Sequence, residues 1–289
     1  LYPPPDGKLV GMSQQPLTQL PGWQPYFEPL ADDPTTQALS ARGLTKVFGN
    51  LIAVNQLTMD VPRGSIYGLV GPNGAGKTTA ITMWSGLARP DDGQVWVNGH
   101  NVWTDSLAAK ASLGLLVDGL PVFDRLSGME LLSYLGAIRG LEFATMKSRA
   151  EELLGALGLD EAGDKRIVDY SAGMTKKILL AAALLHNPAV LILDEPMESV
   201  DPASARVIQT ILKHYARSGG TVIMSSHVME LVEGLCDHVA IIGNGRVMTC
   251  GPTEKVRQGH SLIDIFVELV GGVRLSDDSL NWLGSVHSG

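Results

Sequence analysis

Cysteine is scarce in these 289 residues, with Cys236 and Cys250 the only two. No histidine stands at metal-ligand spacing around them, so neither a disulfide framework nor a zinc site is suggested, and a reducing cytosol fits best. A basic surplus is missing as well. Lysine and arginine total 22 against 30 acidic residues, a formal net charge of −8, which argues against a general nucleic-acid binder; no nucleic acid is expected as a partner. No apolar run approaches the ~20 residues that span a bilayer. The longest, residues 178–185, stops at His186-Asn187-Pro188. The chain is not expected to cross a membrane by itself, and its start carries no apolar stretch of signal-peptide type. At 45% hydrophobic residues it can nonetheless bury one large core or two smaller ones.

What is present is organised around Gly71-Pro72-Asn73-Gly74-Ala75-Gly76-Lys77-Thr78-Thr79. The stretch matches G-x-x-x-x-G-K-[ST] and lies between a short apolar run, residues 66–70, and a helix-like run, residues 80–87. Strand, glycine-rich loop and helix form the context in which backbone N–H groups turn inward around a polyphosphate, with the positive end of the helix adding to the field. Lys77 would reach the β- and γ-phosphates, Thr78 would offer its hydroxyl to Mg²⁺, and Thr79 would lie near the α-phosphate. A nucleoside triphosphate is the expected ligand.

Eight of the sixteen prolines fall in residues 1–37, with Trp23, Tyr26 and Phe27 but no periodic apolar pattern. This predicts an extended segment, either a tail or one that sets its aromatics on a partner surface. Short strands are predicted at 38–48, 57–61, 65–70 and 94–97. Phe48 ends the first of them, an aromatic that could stack on adenine or belong to the core. From about 118 to 183 the pattern turns helical. Ser127-Gly128-Met129-Glu130 reads as a capping box opening a helix with Leu131, Leu132, Leu135 and Ile138 on one face, and further helices are predicted at 151–159 and 175–185.

The next apolar run, Val190-Leu191-Ile192-Leu193, suits the centre of a parallel sheet and delivers Asp194 and Glu195 at its carboxyl end. Asp194 can hold Mg²⁺ while Glu195 polarises the water that attacks the γ-phosphate. A helix opens at Asp201-Pro202, and a second buried run, residues 221–224, leads to His227 on the same expected rim, where a γ-phosphate contact is the favoured reading. A hairpin around Gly243-Asn244-Gly245 closes the sheet.

The phosphate loop, the strand ending in Asp194-Glu195, Tyr170-Ser171-Ala172-Gly173-Met174 just before it, Ser199-Val200-Asp201 and His227, in that constellation, resemble the nucleotide-binding subunit of ABC transporters. The resemblance covers about residues 38–271 and implies an α/β P-loop NTPase fold with a mixed nucleotide-binding sheet region and an inserted helical subdomain. It implies ATP and Mg²⁺, and a dimer with a second ATP-binding subunit in which each site joins one chain's phosphate loop to the other's signature segment. Ser171 and Gly173 would then face the partner's γ-phosphate, and Asp201 would link the sites. Ala172 departs from the usual signature and is tolerated only if its backbone needs no positive φ. Asp118 stands where the family carries a glutamine near Mg²⁺, which predicts altered metal dependence.

The resemblance also implies an integral-membrane permease as partner, docking near residues 119–126, where Leu120, Pro121 and Phe123 are apolar, and a peripheral location on the cytoplasmic face of the cell membrane. Residues 261–269 look like the tail of ATPases that serve separate drug, polyketide or glycolipid exporters. The domains expected are a Pro-rich extension at 1–37, the ATPase domain at 38–271 and a tail at 272–289. Two alternatives remain open: a weakly hydrolysing regulatory cassette of a heterodimer, and a soluble ABC ATPase outside transport.

Overall fold

The computed structural model describes residues 20–117, 119, 123–162 and 165–271. An antiparallel sheet is built from β1 (Leu39–Phe48), β2 (Leu51–Val61), β4 (Asp92–Val97) and β5 (His100–Asn101), in the order β2-β1-β4-β5. The second sheet holds β3 (Ile66–Val70), β6 (Leu113–Leu116), β7 (Val190–Leu193), β8 (Thr221–Ser226), β9 (His238–Gly243) and β10 (Arg246–Pro252), in the order β10-β9-β3-β8-β7-β6. All its pairs are parallel except β9 with β10, the hairpin expected from sequence.

Helix α1 (Lys77–Trp84) follows β3, and the short α2 (Ser106–Ala111) precedes β6. Between β6 and β7 lie α3 (Gly128–Ile138), α4 (Phe143–Ala156) and α5 (Ala172–Leu184). Helix α6 (Pro202–Arg217) joins β7 to β8, α7 (Met229–Leu235) joins β8 to β9, and α8 (Thr253–Arg257) and α9 (Leu262–Val270) follow β10.

Strands β3, β7 and β8 are buried at every residue, which is why their sequences are dominated by continuous apolar stretches rather than alternation. Alternation within β3 feeds two cores. Tyr67 and Leu69 face the layer shared with α1 and the antiparallel sheet, while Ile66 and Val70 face the helices on the other side. The strand termini that carry chemistry therefore meet at one rim, where β3 runs into the phosphate loop, its neighbour β8 ends with Ser225 and Ser226, and β7, on the far side of β8, runs into Asp194.

Several boundaries differ from the sequence expectation. Helix α4 starts at Phe143 rather than 151 because Glu142 caps it, accepting from the Thr145 N–H at 2.9 Å. Helix α5 starts at Ala172 rather than 175 because Ser171 caps it. Apolar periodicity detects the buried stretch of a helix, not an exposed first turn. Strand β2 begins at Leu51 rather than 57, since its hairpin with β1 extends beyond the core and leaves Leu51 and Ile52 exposed. The capping box at Ser127 and Glu130 is formed, but Ile138, expected on the buried stripe of α3, is 63% exposed.

Of the aromatics in the proline-rich segment, Trp23 settles on this chain itself, while Phe27 is 54% exposed. Trp23 is buried among the helices and donates its indole N–H to the Val256 carbonyl at 2.8 Å. Backbone bonds then tie Tyr26 and Glu28 to Cys250 on β10. Residues 272–289 and 1–19 lie outside the described residues.

Candidate nucleotide site

A cleft of about 900 Å³ opens at the strand-end rim. Phe48, Gly71, Pro72, Asn73, Gly74, Ala75, Gly76, Lys77, Thr78, Thr79, Asp194, Glu195 and His227 all line it, so most residues singled out from sequence converge in one place. The loop is shaped by its packing. A Cβ at Gly71 would lie 2.5 Å from the Ile242 carbonyl oxygen, so only hydrogen fits where the loop passes β9.

Lys77 opens α1 and folds back, donating from Nζ to the carbonyl oxygens of Gly71 at 2.7 Å and Pro72 at 3.3 Å. Burial pushes its ammonium below the usual range, against the opposing pull of the Glu195 and Asp194 carboxylates. This is a cation held over the loop and short of full solvation, the state in which a polyphosphate is attracted most strongly.

One residue later the Thr78 hydroxyl donates to Asp194 Oδ2 at 2.9 Å. Asp194 is 3% exposed, and its other oxygen accepts from the Ser225 hydroxyl at 2.6 Å. A hydroxyl and a carboxylate oxygen side by side suit a hard cation such as Mg²⁺, which takes few protein ligands and completes its shell with phosphate and water. Among the described residues no three His, Cys, Asp or Glu side chains converge as a preformed metal site. Asp118, the third expected ligand, lies outside the described residues.

Glu195 stands in the left-handed region at φ +46° and accepts from His227 Nδ1 at 3.0 Å. With Glu195 ionised, its carboxylate accepts, and the imidazole proton is assigned to Nδ1. His227 is exposed on the cleft while Glu195 is only partly so, which leaves the pair open to a ligand from one side. At the far end Phe48 is 53% exposed, with the Lys46 ammonium 5.6 Å from its ring centre.

Ser171, Gly173 and Asp201 do not line this cleft. Ser171 caps α5, its hydroxyl accepting from the Met174 N–H at 3.2 Å, and a Cβ at Gly173 would lie 2.8 Å from the Ser199 carbonyl oxygen. Ala172 is helical and not at positive φ, so its departure from the usual signature strains nothing. Asp201 caps α6 by accepting from the Ser204 N–H at 2.9 Å, and hydrogen bonds from the Ser204 side chain and N–H hold its carboxyl below the usual range.

Sequence reasoning passed over Ser225, Ile263 and Phe266. Ser225 was legible in principle: Leu193 pairs with Met224 in parallel register, so the residues that follow them, Asp194 and Ser225, lie side by side. Ile263 and Phe266, on α9, line the cleft through tertiary packing that no local pattern announces.

A phosphate loop beside a strand-borne carboxylate pair and a histidine defines a nucleoside triphosphatase cassette. Residues 54–198 match the family described as ABC transporter. The linearmycin resistance ATP-binding protein LnrL of Bacillus subtilis (strain 168) is 37% identical over 213 residues, 74% of this chain and 68% of that protein. The daunorubicin/doxorubicin resistance ATP-binding protein DrrA of Streptomyces peucetius is 35% identical over 222 residues, 77% and 67% of the two chains. A solved ATP-binding subunit of an ABC transporter superposes with a TM-score of 0.76 at 26% identity, covering 81% of this chain and 99% of that one. The chain belongs to the ABC transporter family, as an ATP-binding subunit with ATPase activity.

Proposed function

We propose that this chain powers export through a separate integral-membrane permease, as one of two ATP-binding subunits closing around shared sites. The observation that carries the reading is the convergence of the loop at 71–79 with Asp194, Glu195 and His227 in one cleft. Phe48 stacks on adenine, residues 74–79 surround the phosphates, and Thr78 and Asp194, with Asp118, hold Mg²⁺. When bound, the metal neutralises charge on the β- and γ-phosphates. Glu195 draws a proton from the attacking water, and His227, hydrogen-bonded to that carboxylate, keeps it aimed and stabilises charge developing on the γ-phosphate.

The second subunit follows from what the cleft lacks. Ser171 and Gly173 lie at the N-terminus of α5, with that helix end's affinity for anions, yet outside their own chain's cleft. A second copy brings that terminus to the γ-phosphate, and Asp201 sits where the two sites meet. Export is favoured because the relatives described above are named for resistance to linearmycin and to daunorubicin and doxorubicin. Among the described residues no helix is long and apolar enough to cross a membrane; the proposal assigns attachment to the cytoplasmic face to the permease. Leu120 and Pro121 of the expected docking area lie outside the described residues; the exposure of Phe123, 54% and edge-on to Tyr134 at 5.2 Å between ring centres, supports docking there. The ATPase domain is assigned to 38–271, with an extension at 1–37 and a tail at 272–289.

The test compares Mg²⁺-dependent ATP hydrolysis of the wild type and Glu195→Gln. Glu195→Gln is expected to lose about 10²-fold or more in turnover while trapping ATP in a closed dimer. A wild type that binds ATP without turning it over would replace this reading by the regulatory cassette. Turnover without any associating permease would favour the soluble ATPase.

A further inference from the structure

Asp194 and Glu195 share one peptide unit, and side chains from two other elements hold both of its polar ends. The Asp194 carbonyl accepts from Lys176 Nζ at 3.2 Å, a lysine one turn into α5. The Glu195 N–H of the same unit donates to Ser225 Oγ at 2.9 Å, at the end of β8. A peptide unit is planar, so fixing its oxygen and its hydrogen fixes its rotation about the chain. That rotation sets where the next side chain points.

Glu195 depends on such a hold. Its φ of +46° lies in the region that residues with a Cβ avoid, and a conformation of this kind persists only when surrounding bonds over-determine it. Both holding groups are unusual in their burial. Lys176 is 8% exposed and Ser225 is fully buried. An ammonium that deep is costly to desolvate, and packing alone would be served by an apolar side chain. The Ser225 hydroxyl also donates to Asp194 Oδ1, so one atom group orients both the carboxylate beside Thr78 and the backbone of Glu195.

We propose that Lys176 and Ser225 are positioning residues for the hydrolytic step: they clamp the Asp194–Glu195 peptide unit so that the Glu195 carboxylate meets His227 and faces the cleft. The inference rests on the reading of Glu195 as the group that activates water. Because Ser171 caps α5, Lys176 also ties the signature helix terminus to this peptide unit. A movement of α5 is thereby transmitted to the carboxylate of the same chain, although Ser171 itself serves the other site.

The experiment measures steady-state and single-turnover ATP hydrolysis by the full chain, together with ATP affinity and the folded fraction. The variants are Ser225→Ala, Ser225→Thr, Lys176→Met and Glu195→Gln. Ser225→Ala and Lys176→Met are expected to lower kcat about 10- to 100-fold, with ATP affinity changed less than about threefold. Ser225→Thr, which keeps the hydroxyl, is expected to restore most of the rate. Ser225→Cys, nearly isosteric and a weak donor, repeats the reading where Ser225→Ala does not fold. If Glu195→Gln is inactive while Ser225→Ala or Ser225→Cys and Lys176→Met turn over at the wild-type rate per folded chain, the clamp is overturned and the role of Glu195 stands. If Glu195→Gln hydrolyses ATP normally, the parent reading falls and the clamp with it.

Discussion

Replacing Gly76 by alanine offers the sharpest check on how the phosphate loop is built. Gly76 caps α1 at φ 100°, ψ 7°, and a Cβ there would lie 2.4 Å from the Ala53 carbonyl oxygen and 3.3 Å from Val54 Cγ2. The first obstacle is backbone of β2, so no rotamer change relieves it, and the loop must retreat by about 1 Å to restore contact distance. The left-handed backbone costs roughly 1–2 kcal/mol. Overpacking against a fixed neighbour adds about 1–3 kcal/mol. Together these come to about 2–5 kcal/mol, divided between lower stability and displacement of the N–H groups that surround phosphate. Gly74 supplies the control. It too has positive φ, +78°, but a Cβ there meets nothing within 4 Å, so Gly74→Ala carries only the conformational part. Nucleotide titration and denaturant unfolding of both variants are expected to show Gly76→Ala much the weaker, by about 10-fold or more in affinity or about 2 kcal/mol in stability. Equal behaviour of the two variants would refute the close approach between loop and β2.

Truncating Trp23 to alanine should cost about 3–5 kcal/mol, because it removes a buried indole from the helical core and the donor to the Val256 carbonyl. Denaturant unfolding reads the effect, and a loss under about 1 kcal/mol would show that the N-terminal segment is not part of the folded unit. Stability should also fall in alkali. Burial pushes the Cys250 thiol from 9.0 up to about 11, so above pH 9 the unfolded chain releases this proton first. The stability conferred by the raised pKa is complete below pH 9 and is lost as pH rises through about 11, amounting to about 3 kcal/mol. Unfolding curves between those pH values should shift less for Cys250→Ala than for the wild type.

Much of the site was legible in the chain because its parts are local. A glycine loop between strand and helix is fixed by a nine-residue pattern, and Asp194 and His227 follow buried runs whose ends must emerge on one side of a parallel sheet. The expectation for Ala172 held for the same reason, since helical φ is a local property. Where local signals are silent, the reading went astray. The first turn of α4 is exposed and that of α5 only partly buried, neither carrying apolar periodicity, and Ile138 fits an apolar stripe that the fold leaves uncovered.

What the sequence alone determined is the chemistry: a phosphate cradle, a carboxylate pair and a histidine, each set by residue type at short range. Tertiary structure decided how these are held. It placed Trp23 against Val256, 233 residues away, brought α9 to the wall of the cleft, and set Lys176 and Ser225 at the two ends of one peptide unit. Such contacts depend on which strands become neighbours and in what register. That choice is made by burying the apolar surface of the entire chain, and no stretch of sequence carries it alone.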